Sequence, residues 1–447
     1  MNKCSGVLIS MLFLVHNAVY GATAYVTQRT DVVVFDTTTN TVTQKITDAS
    51  FVIPQQLAIT PDGSTVYVVD AGDGLFNFGS VTIINVATNT VEGIVTDLST
   101  TFNQPFGIAI TPNGKTAYVT NFAGASVSVI DIASNTVTQA ITSFGNPQGI
   151  AITPNGTMAY VVDNGNNTVS VIAIPGNTVT DVISDPSFNS PQLIAIAPDG
   201  SKAYVTNESG NSVSVIAIPA NTVTTVTNPN FVQPFGVAIS PDGSKAYVTN
   251  DAITPFVSVI DVANNQVDSI TPTVLSPNFN LPKGVVFTPD GTTAYVANNR
   301  MGNSSVSIIN AATNTVTAQG VVTDSSSFFN QPFFIAIVPG STPPTPTASI
   351  TVSGVQQKNI FLTQTDYINV ITWTTPTTVT PVSYQLYRDA ALTDLAGTVP
   401  ANGPLRFKDH NRNPKLTYTY YLVAVDQAGN KTLLGNVTVV GLNIFGS

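Results

Sequence analysis

The chain has 447 residues, of which only 9% are charged, and its formal net charge is −10. Between residues 22 and 345 there are 7 Lys and Arg against 20 Asp and Glu, which argues against nucleic acid or anionic lipid as a partner. Cys4 is the only cysteine, so its removal with the first segment excludes disulfides, thiolate metal sites and cysteine nucleophiles.

Residues 1–21 have the pattern of a secretory signal. Lys3 supplies a short positive start, an apolar run extends from Gly6 to Val15, and the small residues Gly21 and Ala22 suit cleavage. The apolar run is too short to span a bilayer, and no later segment approaches the roughly 18 apolar residues that a membrane helix needs. We therefore expect an exported protein without an integral membrane segment, in the periplasm, at the cell surface or secreted.

Residues 22–340 repeat one unit. It reads roughly PxGIAITPDGxxAYVTN, then a loop, SVSVID, a turn and NTVTxxI. Its four runs of alternating β-branched residues, separated by turn residues, predict four strands. Units of about 40–50 residues with four strands each are typical of a β-propeller. One tyrosine marks the second strand of every unit: Tyr25, Tyr67, Tyr118, Tyr160, Tyr204, Tyr247 and Tyr295.

The two ends of the repeat region complete each other. The chain enters in a second strand at 24–28 and finishes in a first strand at 332–339. We predict that 333–338 pairs with 24–28, so that one blade is shared and the ring of seven blades is closed without exposed sheet edges.

A phenylalanine stands three residues before the proline of every first strand. These residues are Phe51, Phe102, Phe144, Phe188, Phe231, Phe279 and Phe329. We predict that they pack in the seams between blades, where each buried ring would contribute about 1.5–3 kcal/mol. The alternative is a ring of aromatic side chains around the mouth of the central tunnel.

Several units contain the sequence YVTN, at 118–121, 204–207 and 247–250, and SVSVID follows at 126–131. The region resembles the YVTN-type β-propeller repeat family. That resemblance implies a surface-layer-like or periplasmic propeller of seven blades, and it implies little about chemistry.

The proline-rich stretch 341–347 is predicted to be a linker to a second domain at 348–447. Trp373 falls in an early predicted strand, and Tyr418 begins the segment YTYYLVAVDQAGN. The domain resembles a fibronectin type III or immunoglobulin-like sandwich, with Trp373 in the core and Tyr418 as its tyrosine corner. The predicted fold class is therefore all-β: a seven-bladed β-propeller with N-/C-terminal strand closure, plus a C-terminal β-sandwich.

The propeller region lacks histidine, so Ser-His catalysis and His-ligated metals are unsupported. Carboxylates remain in the loops between second and third strands, and a pair of them could bind Ca²⁺ or act as acid and base. They are Asp70, Asp73, Asp163, Glu208 and Asp251. Because Asp is common in turns and no calcium-loop spacing occurs, we predict no catalytic residue, no metal ligand and no cofactor, with Ca²⁺ as the alternative.

Function on a repeat scaffold is expected where the repeat is broken. Arg29 and Arg300 are the only arginines of the propeller region and fall in neighbouring blades, so they could hold a small anion, or they could pair with nearby Asp residues. The candidate ligand-binding residues on the predicted loop face are Arg29, Asp70, Asp73, Phe76, Phe78, Phe122, Phe256 and Arg300.

These observations predict an exported, non-enzymatic β-propeller of the bacterial cell envelope that binds a partner, a protein or a surface glycan, through its variable loops. Two alternatives stay open. One is a carboxylate- or metal-dependent hydrolase or lactonase with its site at the tunnel mouth, and the other is a structural surface-layer component.

Overall fold

A computed structural model describes most of the repeat region and much of the C-terminal region. The described residues are 23–73, 79–95, 102–252, 256–270, 279–302, 304–322, 329–338, 352–361, 364–373, 383–388, 395–401, 403, 405–409, 418–425 and 431–439. The predicted signal 1–21, the predicted linker 341–347 and the candidates Phe76 and Phe78 lie outside them. No helix in the described part is long and apolar enough to cross a membrane.

The described residues form two compact units, the first within 23–338 and the second within 352–439. The first unit is a ring of seven four-stranded antiparallel sheets, or blades. Blade 1 contains β1 (Thr23–Gln28), β2 (Asp31–Asp36), β3 (Thr41–Ile46) and, from the other end of the unit, β28 (Ile335–Ile337). The first strands of neighbouring blades contact one another, so they surround the axis of the ring.

Blades 2 to 7 follow in chain order with four strands each. They are β4 (Pro54–Ile59), β5 (Thr65–Asp70), β6 (Ser80–Asn85), β7 (Thr90–Val95); β8 (Pro105–Ile110), β9 (Thr116–Asn121), β10 (Ser126–Asp131), β11 (Thr136–Thr142); β12 (Pro147–Ile152), β13 (Met158–Asp163), β14 (Thr168–Ala173), β15 (Thr178–Ser184); β16 (Pro191–Ile196), β17 (Lys202–Asn207), β18 (Ser212–Ala217), β19 (Thr222–Thr227); β20 (Pro234–Ile239), β21 (Lys245–Asn250), β22 (Phe256–Asp261), β23 (Val267–Ile270); and β24 (Pro282–Phe287), β25 (Thr293–Asn298), β26 (Ser305–Asn310), β27 (Thr315–Val321).

The predicted closure of the ring is confirmed. Strand β28 pairs antiparallel with β1, with Ala24 opposite Ile337 and Val26 opposite Ile335. The pairing continues beyond the strand, because the Phe333 amide donates to the Thr27 carbonyl at 2.8 Å. The two ends of the repeat region therefore satisfy each other's backbone groups, which removes two open sheet edges.

The repeat tyrosines connect each blade to the next one. Each hydroxyl donates to the side-chain oxygen of an asparagine in the turn between the third and fourth strands of the following blade. The pairs are Tyr25–Asn89, Tyr67–Asn135, Tyr118–Asn177, Tyr160–Asn221, Tyr204–Asn265, Tyr247–Asn314 and Tyr295–Asn40. These asparagines have positive φ, 53° at Asn40, a conformation that asparagine tolerates better than most residues. The tyrosines are therefore structural.

The phenylalanines that precede the first strands are all buried. Phe102, for example, packs with Val69 and Val81 of blade 2 and with Val119 of blade 3. The prediction that these rings fill the seams between blades is confirmed.

The second unit is a sandwich of two antiparallel sheets, β29-β30-β33 and β32-β31-β34-β35. Its strands are β29 (Val352–Phe361), β30 (Gln364–Trp373), β31 (Ser383–Tyr387), β32 (Leu395–Pro400), β33 (Arg406–Asp409), β34 (Tyr418–Val425) and β35 (Lys431–Val439). Trp373 is buried in the core against Tyr384, with ring centroids 5.3 Å apart, as predicted for a core tryptophan.

A buried polar network in this unit involves Tyr420, two residues beyond Tyr418, the predicted tyrosine corner. The Tyr420 hydroxyl donates to Asp409 at 2.7 Å and accepts from the Asn369 amide at 2.8 Å. Arg388 also donates to Asp409, at 2.9 Å. Tyr418 is only half-buried. The sandwich is confirmed, whereas its fibronectin type III class stays a prediction.

Candidate functional site

One end of the tunnel is surrounded by side chains that differ from blade to blade. The residue after the proline at the start of each first strand occupies the same place, and in blade 1 it lies just before β28. The first strands surround the axis. We call this set the mouth ring: Gln55, Phe106, Gln148, Gln192, Phe235, Lys283 and Phe333. The mouth ring holds three amides, three aromatic rings and one cation.

A second ring lies beside the first, at the residue that follows each second strand. Its backbone position is the same in every blade, because its amide donates to a carbonyl of the preceding connection, as in Glu208 to Ser190 at 3.0 Å and Asp251 to Gln233 at 3.0 Å. We call this set the loop ring: Arg29, Ala71, Phe122, Asn164, Glu208, Asp251 and Asn299. Uniform backbone with varied side chains is what a binding face on a repeat scaffold requires.

The two rings contact each other through an ion pair. Lys283, from the mouth ring of blade 7, pairs with Asp251, from the loop ring of blade 6. Their side chains are 16% and 17% exposed. The Lys283 ammonium lies 4.2 Å from the centroid of the Phe235 ring and 5.9 Å from that of Phe333, within range of cation–π attraction. A cation and a carboxylate are thus held together on an aromatic surface.

A second carboxylate belongs to blade 5. The Gln192 side-chain amide, which is buried, donates to the Glu208 carboxylate at 2.5 Å. This partner is a neutral amide, whereas Asp251 is paired with a cation. Two acidic groups in neighbouring blades therefore have different electrostatic surroundings.

Two buried acceptor atoms at these rings have no hydrogen-bond partner among the described residues. They are Oδ1 of Asp251 and Oε1 of Gln148. Buried polar atoms in folded proteins are nearly always satisfied, and an unsatisfied one calls for a water or a ligand. Both atoms are hydrogen-bond acceptors, so a group that pairs with either of them must be a hydrogen-bond donor.

Aromatic side chains form the floor of the mouth. Phe333 lies against Phe334 at 4.8 Å, against Phe235 at 5.7 Å and against Phe106 at 6.3 Å between ring centroids. A cavity of about 80 Å³ lies further along the first strands. Its lining residues are Gln56, Leu57, Leu193, Ile194, Gly236, Val237, Gly284, Val285, Phe334 and Ile335.

In blades 3, 5 and 6 the threonine of the YVT sequence holds the backbone of the mouth ring in place. The Thr249 hydroxyl accepts from the Gly236 amide at 2.8 Å and donates to the Lys283 carbonyl at 2.7 Å. A Cβ at Gly236 would lie 2.2 Å from that carbonyl oxygen, so the close approach of blades 6 and 7 requires glycine there. Thr120 and Thr206 donate to the carbonyls of Gln148 and Phe235 in the same way.

The structure places the predicted site residues in several different environments. Arg29 and Phe122 belong to the loop ring, where Arg29 is exposed and Phe122 is half-buried. Arg300 is also exposed, and its guanidinium donates to the Asn280 side chain at 3.2 Å. Phe256 begins β22 and is half-buried, and Asp73 is exposed.

Asp70 is buried, and its carboxylate accepts hydrogen bonds from nearby backbone amides. It accepts from the amides of Val52 at 2.7 Å, Ile53 at 3.1 Å and Gly72 at 2.9 Å. Burial raises the pKa of its carboxyl group, against the effect of these hydrogen bonds. In the corresponding connection of blade 4, the Asp163 carboxylate accepts hydrogen bonds from the backbone amides of Gly145 and Asn146.

From the sequence, Glu208 and Asp251 were predicted only among several loop carboxylates, and Lys283 and the glutamines of the mouth ring were not predicted at all. A signal for the mouth ring was present. In the first strands the end of the motif PxGIAI is conservative, whereas x reads Q, F, Q, Q, F, K and F in chain order. The position after x also varies, because Gln56, Leu193 and Phe334 replace its glycine. These two positions break the repeat beside the tunnel axis.

Within the described part of the chain, no group of three or more His, Cys, Asp or Glu side chains is arranged to hold a metal ion. The Ca²⁺ alternative is not tested by this observation and stays a prediction.

Comparison with known proteins gives a family match. The family model described as "Lactonase, 7-bladed beta-propeller" matches residues 20–325, more than half of the chain. No curated protein matches the chain. The seven-bladed propeller is thereby confirmed, while the surface-layer assignment stays a resemblance.

Solved structures share the fold. A periplasmic gluconolactonase of Pseudomonas aeruginosa is 19% identical, with 71% of this chain and 99% of that chain covered and a TM-score of 0.59. A putative 6-phosphogluconolactonase of Bacteroides fragilis is 18% identical, with 71% and 98% covered and a TM-score of 0.58. Hydrazine synthase of Kuenenia stuttgartiensis is 26% identical, with 58% and 76% covered and a TM-score of 0.50.

Proposed function

Since the chain belongs to the seven-bladed β-propeller lactonase family, we propose that it hydrolyses lactones at the tunnel mouth formed by Lys283, Asp251, Glu208 and the surrounding mouth ring. The family match contradicts the sequence-based prediction of a non-enzymatic binding protein. It favours the alternative of a lactonase with its site at the tunnel mouth. The structures named as lactonases are less than 20% identical and support the fold alone.

The proposed reaction opens an internal ester with one water molecule. The water oxygen attacks the carbonyl carbon, and negative charge develops on the carbonyl oxygen. The bond from that carbon to the ring oxygen then breaks and the ring oxygen takes up one proton of the water. The products are a hydroxyl group and a carboxylic acid, which releases the second proton to solvent and becomes a carboxylate. Such a reaction needs a group that takes a proton from water and a positive group near the developing oxyanion.

Lys283 is the cation that we assign to the oxyanion. Its ammonium is mostly buried and is held by Asp251 above the Phe235 ring, so its position is fixed before the substrate binds. A fixed positive group in a weakly solvated site stabilises a developing negative charge far better than a mobile one in water.

Glu208 is the carboxylate that we assign to proton transfer. Its described partner is the neutral amide of Gln192, whereas Asp251 is already engaged by Lys283. Glu208 would accept a proton from the attacking water and return it to the ring oxygen as that bond breaks. Asp251 would orient the ammonium.

The proposed location is the periplasm. The signal pattern in residues 1–21 supports export, and one structure of the same fold is named a periplasmic gluconolactonase.

The single observation that carries the proposal is the pairing of Lys283 with Asp251 at the mouth of a lactonase-family propeller. A pH-stat assay with five- and six-membered lactones tests it. We expect proton release well above the spontaneous rate, and a loss of about 100-fold or more in kcat for Glu208→Gln, typical for removal of a general base. A wild-type rate equal to the spontaneous rate for every lactone would overturn the proposal.

A further inference from the structure

The cavity below the mouth ring lies along the inner edges of the first strands. Each first strand is paired on one side only, with the second strand of its blade, so its other edge faces the axis of the ring. In such an edge strand, alternate residues direct their backbone N–H and C=O groups toward the open side. The tunnel wall therefore contains backbone donors and acceptors.

The pairing within each blade shows which residues point their amides at the axis. In blade 6 the Ser240 amide donates to the Lys245 carbonyl at 2.8 Å, and Val237 lies opposite Val248 in the same register. Hydrogen-bonded pairs alternate with pairs that are not hydrogen-bonded, so Val237, three residues before Ser240, directs its amide away from the second strand. The equivalent bond and register occur in every blade. We call the inward-pointing set the amide ring: Leu57, Ile108, Ile150, Ile194, Val237, Val285 and Ile335.

One member of the amide ring displays this direction through its own hydrogen bond. The Ile108 amide of blade 3 donates to Oε1 of Gln56, a side chain of blade 2, at 3.0 Å. The bond joins two neighbouring first strands rather than Ile108 and its own second strand. Where the sequence supplies an acceptor at this level of the tunnel, an amide of the ring bonds to it.

The cavity, with a volume of about 80 Å³, lies at the level of these amides. Each amide-ring residue that lines it is accompanied by the residue before it, as Val237 is by Gly236 and Ile194 is by Leu193. The N–H group stands at the junction of those two residues, whereas the C=O group stands at the junction with the residue that follows. Ala195 and Ala238, which follow, are not among the described lining residues. The cavity is therefore bounded by amide hydrogens rather than by carbonyl oxygens.

Converging amide hydrogens favour an anion over a water molecule. Backbone N–H groups that point into one concave space are a recurrent anion-binding arrangement in proteins. A buried water makes about three hydrogen bonds and must also direct its own two hydrogens at acceptors, whereas an anion accepts from every donor around it. Phe334 and Leu193 line the same cavity and are buried, so bulk water screens its hydrogen bonds weakly.

We infer that the amide ring binds a small inorganic anion, of the size of chloride or bromide, in the tunnel cavity below the mouth ring. The inference goes beyond the proposed function, since the anion takes no part in lactone hydrolysis and the site stands or falls without that reaction.

A crystal of the full chain grown in sodium bromide tests the inference directly. We expect an anomalous bromide peak inside the cavity, within hydrogen-bonding distance of the Val237 and Val285 amides. Density for water alone in the cavity overturns the inference. Bromide peaks confined to the outer surface overturn it as well, because they show adventitious ions only.

A substitution that supplies a built-in acceptor gives the second test. Leu193→Glu places a carboxylate in the cavity, where it should accept from the amide ring as Gln56 does and exclude a free anion. The chloride affinity, measured from the broadening of the chloride NMR line, should fall about 10-fold or more, since hydrogen bonds to the charged ligand are lost. Leu193→Met keeps an apolar side chain of similar bulk and should bind chloride like wild type.

Circular dichroism establishes that the two variants are folded before chloride is measured. Wild-type affinity in a folded Leu193→Glu overturns the inference, and so does an equal loss in Leu193→Met, which would show that the lost binding is unrelated to the carboxylate. If Leu193→Glu does not fold, the bromide crystal of wild type decides alone.

Discussion

The ammonium of Lys283 and the carboxylate of Asp251 form an ion pair across the seam between blades 6 and 7, directly beside the ring of Phe235. The two residues are 32 positions apart in the chain, and only the convergence of first strands on the axis brings them together. Both side chains are mostly buried, so removal of one partner leaves an uncompensated charge in a poorly solvated place.

Asp251→Asn should reduce lactone hydrolysis by about 10- to 100-fold in kcat, because the unpaired Lys283 ammonium loses its fixed position. Steady-state kinetics measure this effect. Asp181→Asn is the control, since Asp181 lies on the outer strand β15, away from the mouth. A kcat unchanged by Asp251→Asn would show that the ion pair has no part in the reaction.

Thr249 is expected to act as a positioning residue. Thr249→Val removes the hydroxyl that joins Gly236 to the Lys283 carbonyl, so kcat should fall about 10-fold with little change in KM. Thr249→Ser restores the hydroxyl and should restore kcat. Thr120→Val is the control for stability. It removes the equivalent bonds at Gln148, so we expect Thr120→Val and Thr249→Val to lower the melting temperature by similar amounts. If Thr249→Val and Thr249→Ser have the same kcat, the hydroxyl does not position Lys283.

The inter-blade tyrosines should contribute to stability rather than to activity. Tyr160→Phe removes the bond to Asn221, which measures 2.9 Å, and we expect the free energy of unfolding to fall by about 1 kcal/mol. Urea unfolding followed by circular dichroism measures the change. Tyr421→Phe, in the second unit, is the comparison, since Tyr421 lies in β34 and its hydroxyl bonds to none of the described residues. Equal stabilities for Tyr160→Phe and wild type would contradict the structural role.

The same tyrosines predict how stability depends on alkaline pH. Burial raises the pKa of Tyr25, Tyr118 and Tyr204 to about 12, against about 10 for a phenol in the unfolded chain. A group with a raised folded-state pKa contributes stability that is complete below pH 10 and is lost as the pH rises toward 12. Melting temperatures should therefore fall steeply across this interval. A constant melting temperature from pH 9 to pH 12 would contradict it.

The fold was predictable because every repeat contains the same pattern of strand and turn residues. Tyr118 and its six equivalents recur at one strand position, and that recurrence predicted both the blade count and a structural role for the tyrosines. The incomplete units at 24–28 and 333–338 predicted the closure. Local patterns and their spacing contain this information, since each blade packs mainly on its neighbours.

The site was less predictable for physical reasons. Lys283, Gln148 and Gln192 are single residues inside strands, and their proximity depends on how seven strands converge rather than on spacing along the chain. The candidates Phe76 and Phe78 lie outside the described residues, and Arg29 alone of the predicted arginines falls in the loop ring.

The prediction of a non-enzyme depended on the absence of histidine and cysteine from the propeller. Hydrolysis of a lactone, however, requires neither a histidine nor a cysteine. A lactone is an ester that opens by attack of water, and a carboxylate and an ammonium group suffice in principle for proton transfer and charge stabilisation.

The proposed active site is tested most directly by the initial rate of lactone ring opening, measured side by side for wild type and Lys283→Met at the same concentration. Circular dichroism and the melting temperature must first show that both chains are folded. We expect catalysis by wild type and a kcat about 100- to 1000-fold lower in the folded variant, the usual cost of removing a group that stabilises an oxyanion. A folded Lys283→Met with the wild-type rate would contradict the placement of the active site at the tunnel mouth.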